Sequence, residues 1–394
     1  MSVRKRTWRN ADGSQGEAWL AAYTDHEGKR RIRSFDKKQE AVAYHASVAG
    51  ELRSGIHVPD SQSVTVAEAG KLWLAGCEAD GLERSTQDYY RQHFERHIVP
   101  LIGAAKLSRL TMPMVRGFED KLKLDRSATM VRKVCISLGA LLTDAQERGL
   151  VGQNVVRERS RRRRGKHARA AGRQKSKLRV GIDIPSPNEI RAIIAALDDS
   201  RRAMMLTAIL TGLRSSELRG LRLDDIDLKS RKLYVRQRAD RYNVIGKPKS
   251  AAGEREIPLS PMAVNLLRRW KLACPRGELG LAFPAADGSV ESYVNTVRHI
   301  LDPVLIAAGV TKPGVNAQGK PIAVAKYGWH SLRHFYASWC INRKVDGGLE
   351  LPPKVVQERM GHASSAITQD VYGHLFPSGD DGAELAAAEA ALVG

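Results

Sequence analysis

A run of positive charge cuts the chain in two. Between Arg157 and Arg179 stand twelve Lys or Arg residues against the single acid Glu158, with almost no apolar side chains among them. Such a stretch cannot bury enough surface to offset the entropy of ordering it, so residues 156–180 read as an interdomain linker. A core must then be built on each side, and 394 residues suffice for two or three domains with interiors of their own. Arg161, Arg162, Arg163 and Arg164 hold the densest charge. A like-charge run is commonly a solvated segment, but a linker that crosses a duplex backbone gains affinity from the same charges.

Ahead of the linker, residues 1–60 read as a small β-sheet plus helix module. Ala18–Thr24 and Arg30–Phe35 are strand-like, with a turn at Asp25–Gly28 and an earlier one at Asn10–Gly13. Lys37 to Arg53 reads as a helix. Arg30, Arg31 and Arg33 are the candidate nucleic-acid contacts of this module, or else simply a solvated strand face. Residues 63–155 read as all-α. Thr65-Val66-Ala67-Glu68 is a capping box, in which the hydroxyl and the carboxylate satisfy the first free amides of a helix. Further helices start near Ser85, after Thr111 and near Ser127. The last carries an apolar stripe through Val131, Val134, Leu138, Leu141 and Leu142 that reads as plain core.

Beyond the linker, residues 181–378 read as an α+β, mostly helical domain followed by an acidic, alanine-rich tail at 379–394. Ser186-Pro187-Asn188-Glu189 is a second capping box. Arg201 to Leu221 is mostly helix, interrupted at Gly212. Lys232–Arg238 and Arg255–Leu259 form an expected hairpin, after which helices alternate with loops.

The formal net charge of +21 suits a polyanionic partner, because neutralising phosphates releases their counterions. Charge alone leaves room for a ribosome-associated or merely soluble basic protein. Cys77, Cys135, Cys274 and Cys340 are widely spaced and lack a C-x-x-C pair, which argues against a zinc site and a disulfide framework. No metal and no other cofactor is expected, and a reducing cytoplasm is the expected compartment. No apolar run is long enough to span a bilayer, and the basic N-terminus lacks the apolar core of a signal peptide.

Chemistry concentrates in three boxes: Thr211-Gly212-Leu213-Arg214-Ser215-Ser216-Glu217-Leu218, His330-Ser331-Leu332-Arg333-His334, and Gly361-His362 with Tyr372-Gly373-His374-Leu375. Arginine suits a phosphodiester, because its planar fork grips two oxygens and keeps its charge. His330 precedes Arg333 by three residues and shares its face on a helix. It can accept a proton or bond a phosphoryl oxygen. A phenol, with pKa of about 10, becomes a nucleophile only when its proton is taken or its anion stabilised.

In these boxes the chain resembles the tyrosine recombinases, and among them most closely the phage-type integrases. The resemblance implies an arm-type DNA-binding module at 1–60, a helical core-binding domain at 63–155 and a catalytic domain at 181–378. It also implies roles: Arg214 and Arg333 as phosphate clamp, His330 as assisting histidine, His362 as donor to a phosphate oxygen, Tyr372 as nucleophile. Glu217 would orient Arg214, and a lysine would protonate the leaving 5′ oxygen. Lys249, followed by Ser250, Arg255 and Ile257-Pro258-Leu259, matches that lysine's pattern, with Lys247 as its rival. Cleavage through a 3′-phosphotyrosine conserves the bond energy, so neither ATP nor metal is needed. The implied partners are double-stranded attachment sites, a homotetramer formed on them, a directionality factor and a host DNA-bending protein, on nucleoid DNA in a bacterial cytoplasm. The alternatives are a chromosome-dimer-resolving recombinase, a type IB topoisomerase, or a non-catalytic DNA-binding regulator of the same fold. The first lacks an arm module, the box spacing speaks against the second, and the complete residue set argues against the third.

Overall fold

The computed structural model describes residues 2–10, 12–53, 55, 57–157, 177–377, 386 and 389–392. The chain forms two compact units, Met1–Gly172 and Arg173–Gly394. Arg161–Arg164 and most of the tail lie outside the described residues.

The first unit opens with an antiparallel sheet, β1 (Ser2–Arg9), β2 (Gln15–Thr24) and β3 (Arg30–Phe35), in the order β1-β2-β3. The helix Lys38–Arg53 covers one face, where Tyr44 meets the rings of Tyr23 and Phe35. Strand alternation splits the three arginines that the sequence groups together. Arg31 and Arg33 lie on the helix side with Phe35. Arg31 pairs with the buried Asp25 at 2.7 Å, and the Arg33 guanidinium sits 4.8 Å over Tyr44. Arg30 occupies the opposite face, which the register shares with Arg4 and Arg6 of β1.

Four main helices follow, Val66–Ala79, Arg84–His93, Met112–Lys123 and Ala128–Glu147. Thr65, Thr111 and Ser127 cap three of them as the sequence predicts, with the reciprocal Thr65–Glu68 box complete. Their core joins Trp73, Phe94, Ile98, Phe118, Leu138 and Leu142. The π-helical turn Phe94–Ile98, which the sequence reading lacks, brings Phe94 inward. Its ring lies where a β-carbon on Gly70 would be, 2.0 Å away. Asp60 fastens the segment after the sheet module to this bundle by accepting from Ser108 and Arg109.

The second unit packs its core around Asp199–Thr211 and Trp329–Ile341, with Leu206, Ile209, Leu332, Tyr336 and Ile341 all buried. β5 (Lys232–Val235) pairs with β8 (Arg255–Pro258), and β4 (Ile226–Asp227) adds a third strand. The expected hairpin is thus present but shorter on its first side. Past Val235 a second pair forms instead, β6 (Arg238–Ala239) with β7 (Ile245–Gly246). The cause is Arg219: its guanidinium takes the carbonyls of Ala239 and Asp240, and Gln237 bonds to Gly220, so this segment is drawn off the β5–β8 ladder. A further hairpin, β9 (Thr311–Val315) with β10 (Pro321–Ala325), stands where only helices and loops were expected. Asn316 accepts from the amides of Gln318 and Lys320 across its turn. Among the described residues no helix is long and apolar enough to cross a membrane.

Candidate active site

Two helix ends and one tight turn assemble the site. The helix Asp199–Thr211 stops because Gly212 adopts the left-handed conformation, φ +61°. A β-carbon there would meet the Tyr336 ring at 2.4 Å, so both conformation and space call for glycine. Pro353–Met360 ends the same way at Gly361, φ +61°, with the Ala252 carbonyl 2.8 Å from where a β-carbon would stand. These terminations leave carbonyls without helical partners. Arg333 takes two of them, donating to Gly212 O at 2.7 Å and to Met360 O. Arg214 donates to Gly361 O at 3.0 Å. Both arginines therefore converge on the turn that carries His362.

Beneath them lies Glu217, 3% exposed. It accepts from Arg214 Nη1 at 2.6 Å and from the Arg214 amide at 2.9 Å. It also pairs with Arg255, at 3.1 and 2.8 Å. Burial would raise its pKa, yet Arg255, Arg214 and Arg333 overcome this and hold it at about 2. Arg333, 2% exposed, is pushed down to about 9 by burial and by Arg214, with Glu217 opposing, so it stays cationic at neutral pH. Arg255, in sequence only one element of the lysine's pattern, donates to Arg359 O and ties the β8 strand to the helix end that leads into the His362 turn.

His330, Arg333 and His334 share the helix Trp329–Ile341, and the two imidazoles meet edge-on with centroids 4.5 Å apart. Tyr372, at the end of Ser365–Tyr372, is 2% exposed. Its hydroxyl lies 2.6 Å from Nδ1 of His334. The histidine that meets the phenol oxygen is thus His334, to which the sequence alone assigns no role. Its spacing of four from His330 was the available signal, since it puts both rings on one face. The His362 ring stacks parallel to Tyr372 at 6.2 Å, and its Nδ1 shares a hydrogen bond with the buried Thr368 at 2.9 Å.

Burial dominates the electrostatics. It pushes Tyr372 up to about 12 against the pull of Arg333 and Arg214. It pushes His334 down to about 4, aided by His330 and Arg333, and His362 down to about 4, aided by Arg333 and Arg214. His330 is lowered by burial, Arg333 and Arg214. The phenol and the three imidazoles are therefore neutral at physiological pH, facing two cations.

Lys247 and Lys249 are exposed on the segment between β7 and β8. That segment reaches the site through its far end, where Ala252 and Gly253 lie against Gly361 and Arg255. The structure brings Arg214, Glu217, Arg333, His362 and Tyr372 together, with His330 beside them, while the lysines stand on the adjoining loop.

Residues 186–378 match the model of the phage integrase family. The tyrosine recombinase XerC-like protein of Caldanaerobacter subterraneus subsp. tengcongensis is 25% identical over 374 residues, 90% of each chain. The ICEBs1 integrase of Bacillus subtilis is 23% identical over 357 residues, 86% of this chain and 87% of its own length. Among solved structures, the Tn1549 transposon integrase in complex with transposon right end DNA matches with TM-score 0.62 at 16% identity, covering 83% of this chain and 100% of that one. A lambda integrase tetramer bound to a Holliday junction matches with TM-score 0.53 at 18% identity, covering 91% and 96%. At these identities the solved structures establish a shared fold.

Proposed function

Since the chain belongs to the phage integrase family of tyrosine recombinases and is a site-specific DNA recombinase, we propose that it integrates and excises a phage or other mobile element through a 3′-phosphotyrosine bond at Tyr372. One observation carries the reading: Arg214 and Arg333 converge on the His362 turn, and Tyr372 lies against His362 and His334. A phosphate gripped by the two arginines would meet the phenol oxygen as nucleophile. Each guanidinium has five N–H groups, more than the carbonyl and carboxylate bonds described above consume. Thr368 engages Nδ1 of His362 and leaves Nε2 to serve a phosphate oxygen. Lys249, with Lys247 as rival, is proposed to protonate the leaving 5′ oxygen.

The domain roles follow the same reading. Residues 63–155 would grip the core site. The 1–60 module would read arm sites, with Arg4, Arg6 and Arg30 on the sheet face turned away from the helix supporting that use. The basic linker, Arg161–Arg164 included, would cross phosphates. Four strand cuts per exchange call for a homotetramer on two duplexes, acting on nucleoid DNA in the cytoplasm with a directionality factor and a DNA-bending protein. The similarity to a XerC-like recombinase over 90% of the chain favours a second reading, chromosome-dimer resolution.

Tyr372→Phe tests the chemistry on a nicked duplex carrying the junction sequence of the element that encodes the chain. It should bind as wild type and form no covalent adduct. An adduct from the Phe variant would overturn the assignment. Deleting residues 1–60 separates the two readings. Intact core-site cleavage with failed integration supports the integrase, and unimpaired recombination supports the resolving enzyme.

A further inference from the structure

We propose that His334 is a catalytic residue, which holds the Tyr372 hydroxyl in the resting site and takes its proton as the phenol attacks phosphorus. The proposal rests on Tyr372 being the nucleophile. Its basis is geometric. His334 Nδ1 and Tyr372 Oη are 2.6 Å apart, within the range of a strong hydrogen bond. The two other histidines of the site are placed differently. His362 lies face to face with the phenol ring, with its Nδ1 committed to Thr368. His330 presents its ring to His334.

The direction of the hydrogen bond follows from the protonation states. Burial keeps the phenol protonated and the imidazole neutral. With both groups neutral, the proposal has the phenol donate, Nδ1 accept and the ring's own proton sit on Nε2. That is the tautomer a proton acceptor needs. The groups that face His334 are His330, Arg333, Asp183 and Tyr372. A phosphate seated between Arg214 and Arg333 brings negative charge beside the ring and raises its proton affinity.

The step balances as follows. The Tyr372 O–H bond breaks and its proton moves to Nδ1. The phenol oxygen forms the O–P bond. The bond from phosphorus to the 5′ oxygen breaks, and that oxygen leaves with the electron pair and takes a proton from the hairpin lysine. Rejoining runs the steps backwards, with His334 returning the proton to the phenol.

His334→Gln separates holding from proton transfer, because the amide oxygen accepts a hydrogen bond but is no base. Single-turnover adduct formation is measured on an ordinary nicked site and on one whose leaving group is a 5′-bridging sulfur, which needs no acid. The Gln variant should bind DNA and melt as wild type, cleave about 100-fold or more slowly on both substrates, and gain rate steadily with rising pH. Wild-type cleavage by the Gln variant, or rescue by the sulfur substrate, would overturn the proposal. A measurement on the unmutated site stands beside it. In protein labelled with ¹⁵N-histidine, one Nδ1 signal should report an unprotonated, hydrogen-bonded nitrogen and shift in Tyr372→Phe. An Nδ1–H tautomer there would equally overturn it. Should Tyr372→Phe still form an adduct, the nucleophile assignment fails and His334 falls with it. An inert Phe variant beside a fully active Gln variant rejects His334 alone.

Discussion

Glu217 and Arg255 face each other with both carboxylate oxygens engaged, at 3.1 and 2.8 Å, in a place where neither side chain is more than 6% exposed. The same carboxylate orients Arg214, so one acid sets two cations. Breaking a buried pair from one side strands the partner's charge. Glu217→Gln should therefore lower stability by about 3 kcal/mol and slow cleavage as Arg214 loses its bearing. Urea unfolding checks the first and adduct formation the second. A variant as stable as wild type would show the carboxylate to be dispensable. Because the folded pKa is depressed to about 2, the pair's contribution is full above the ordinary glutamate range and fades as pH falls through it.

Gly361→Ala tests the turn. A left-handed alanine costs about 1–2 kcal/mol, and its β-carbon would press on the Ala252 carbonyl and the Arg255 guanidinium. We expect a lowered melting temperature together with loss of cleavage, because the carbonyl that anchors Arg214 moves with the turn. Unchanged cleavage would mean the anchor is unimportant.

Thr368→Val keeps the shape of a fully buried side chain and removes the partner of His362 Nδ1. A hydrogen bond of this kind is worth about 1 kcal/mol, so cleavage should slow by about five-fold while DNA affinity holds. Equal rates for the two proteins would free His362 from this constraint.

Mild acid should destabilise the fold. His334 and His362 are held at about 4, below the ordinary histidine value of about 6.5. Between those limits the unfolded chain binds protons that the folded one refuses, so this stability is complete above the upper limit and lost as pH falls toward the lower. Calorimetry from pH of about 7 down to about 5 should show a falling midpoint, and the fall should be shallower in His334→Gln/His362→Gln. Identical slopes would contradict the assignment.

Two of the boxes were legible because each packs its chemistry into about one helical turn: Arg214 with Glu217, His330 with Arg333. The capping boxes at Thr65 and Ser186 were legible for the same reason. What escaped depends on distant partners. Arg255 gains its role from Glu217 and from Arg359 O, 104 residues away. The contact of His334 with Tyr372 spans 38 residues. The grouping of Arg30, Arg31 and Arg33 as one basic strip overlooked strand alternation, which sends Arg31 to Asp25 and Arg33 to Tyr44. β6 and β7 depend on the carbonyls that Arg219 collects, which no local pattern announces.

Arg333 holds the ends of two helices through the carbonyls of Gly212 and Met360, and the same guanidinium faces the site. The fastener of the core and the proposed grip on substrate are one group. Warming such a protein cannot silence the site first and melt the domain later. Inactivation and unfolding should share a single midpoint, and a sequence that relaxes this guanidinium to tune the enzyme gives up its fold in the same step.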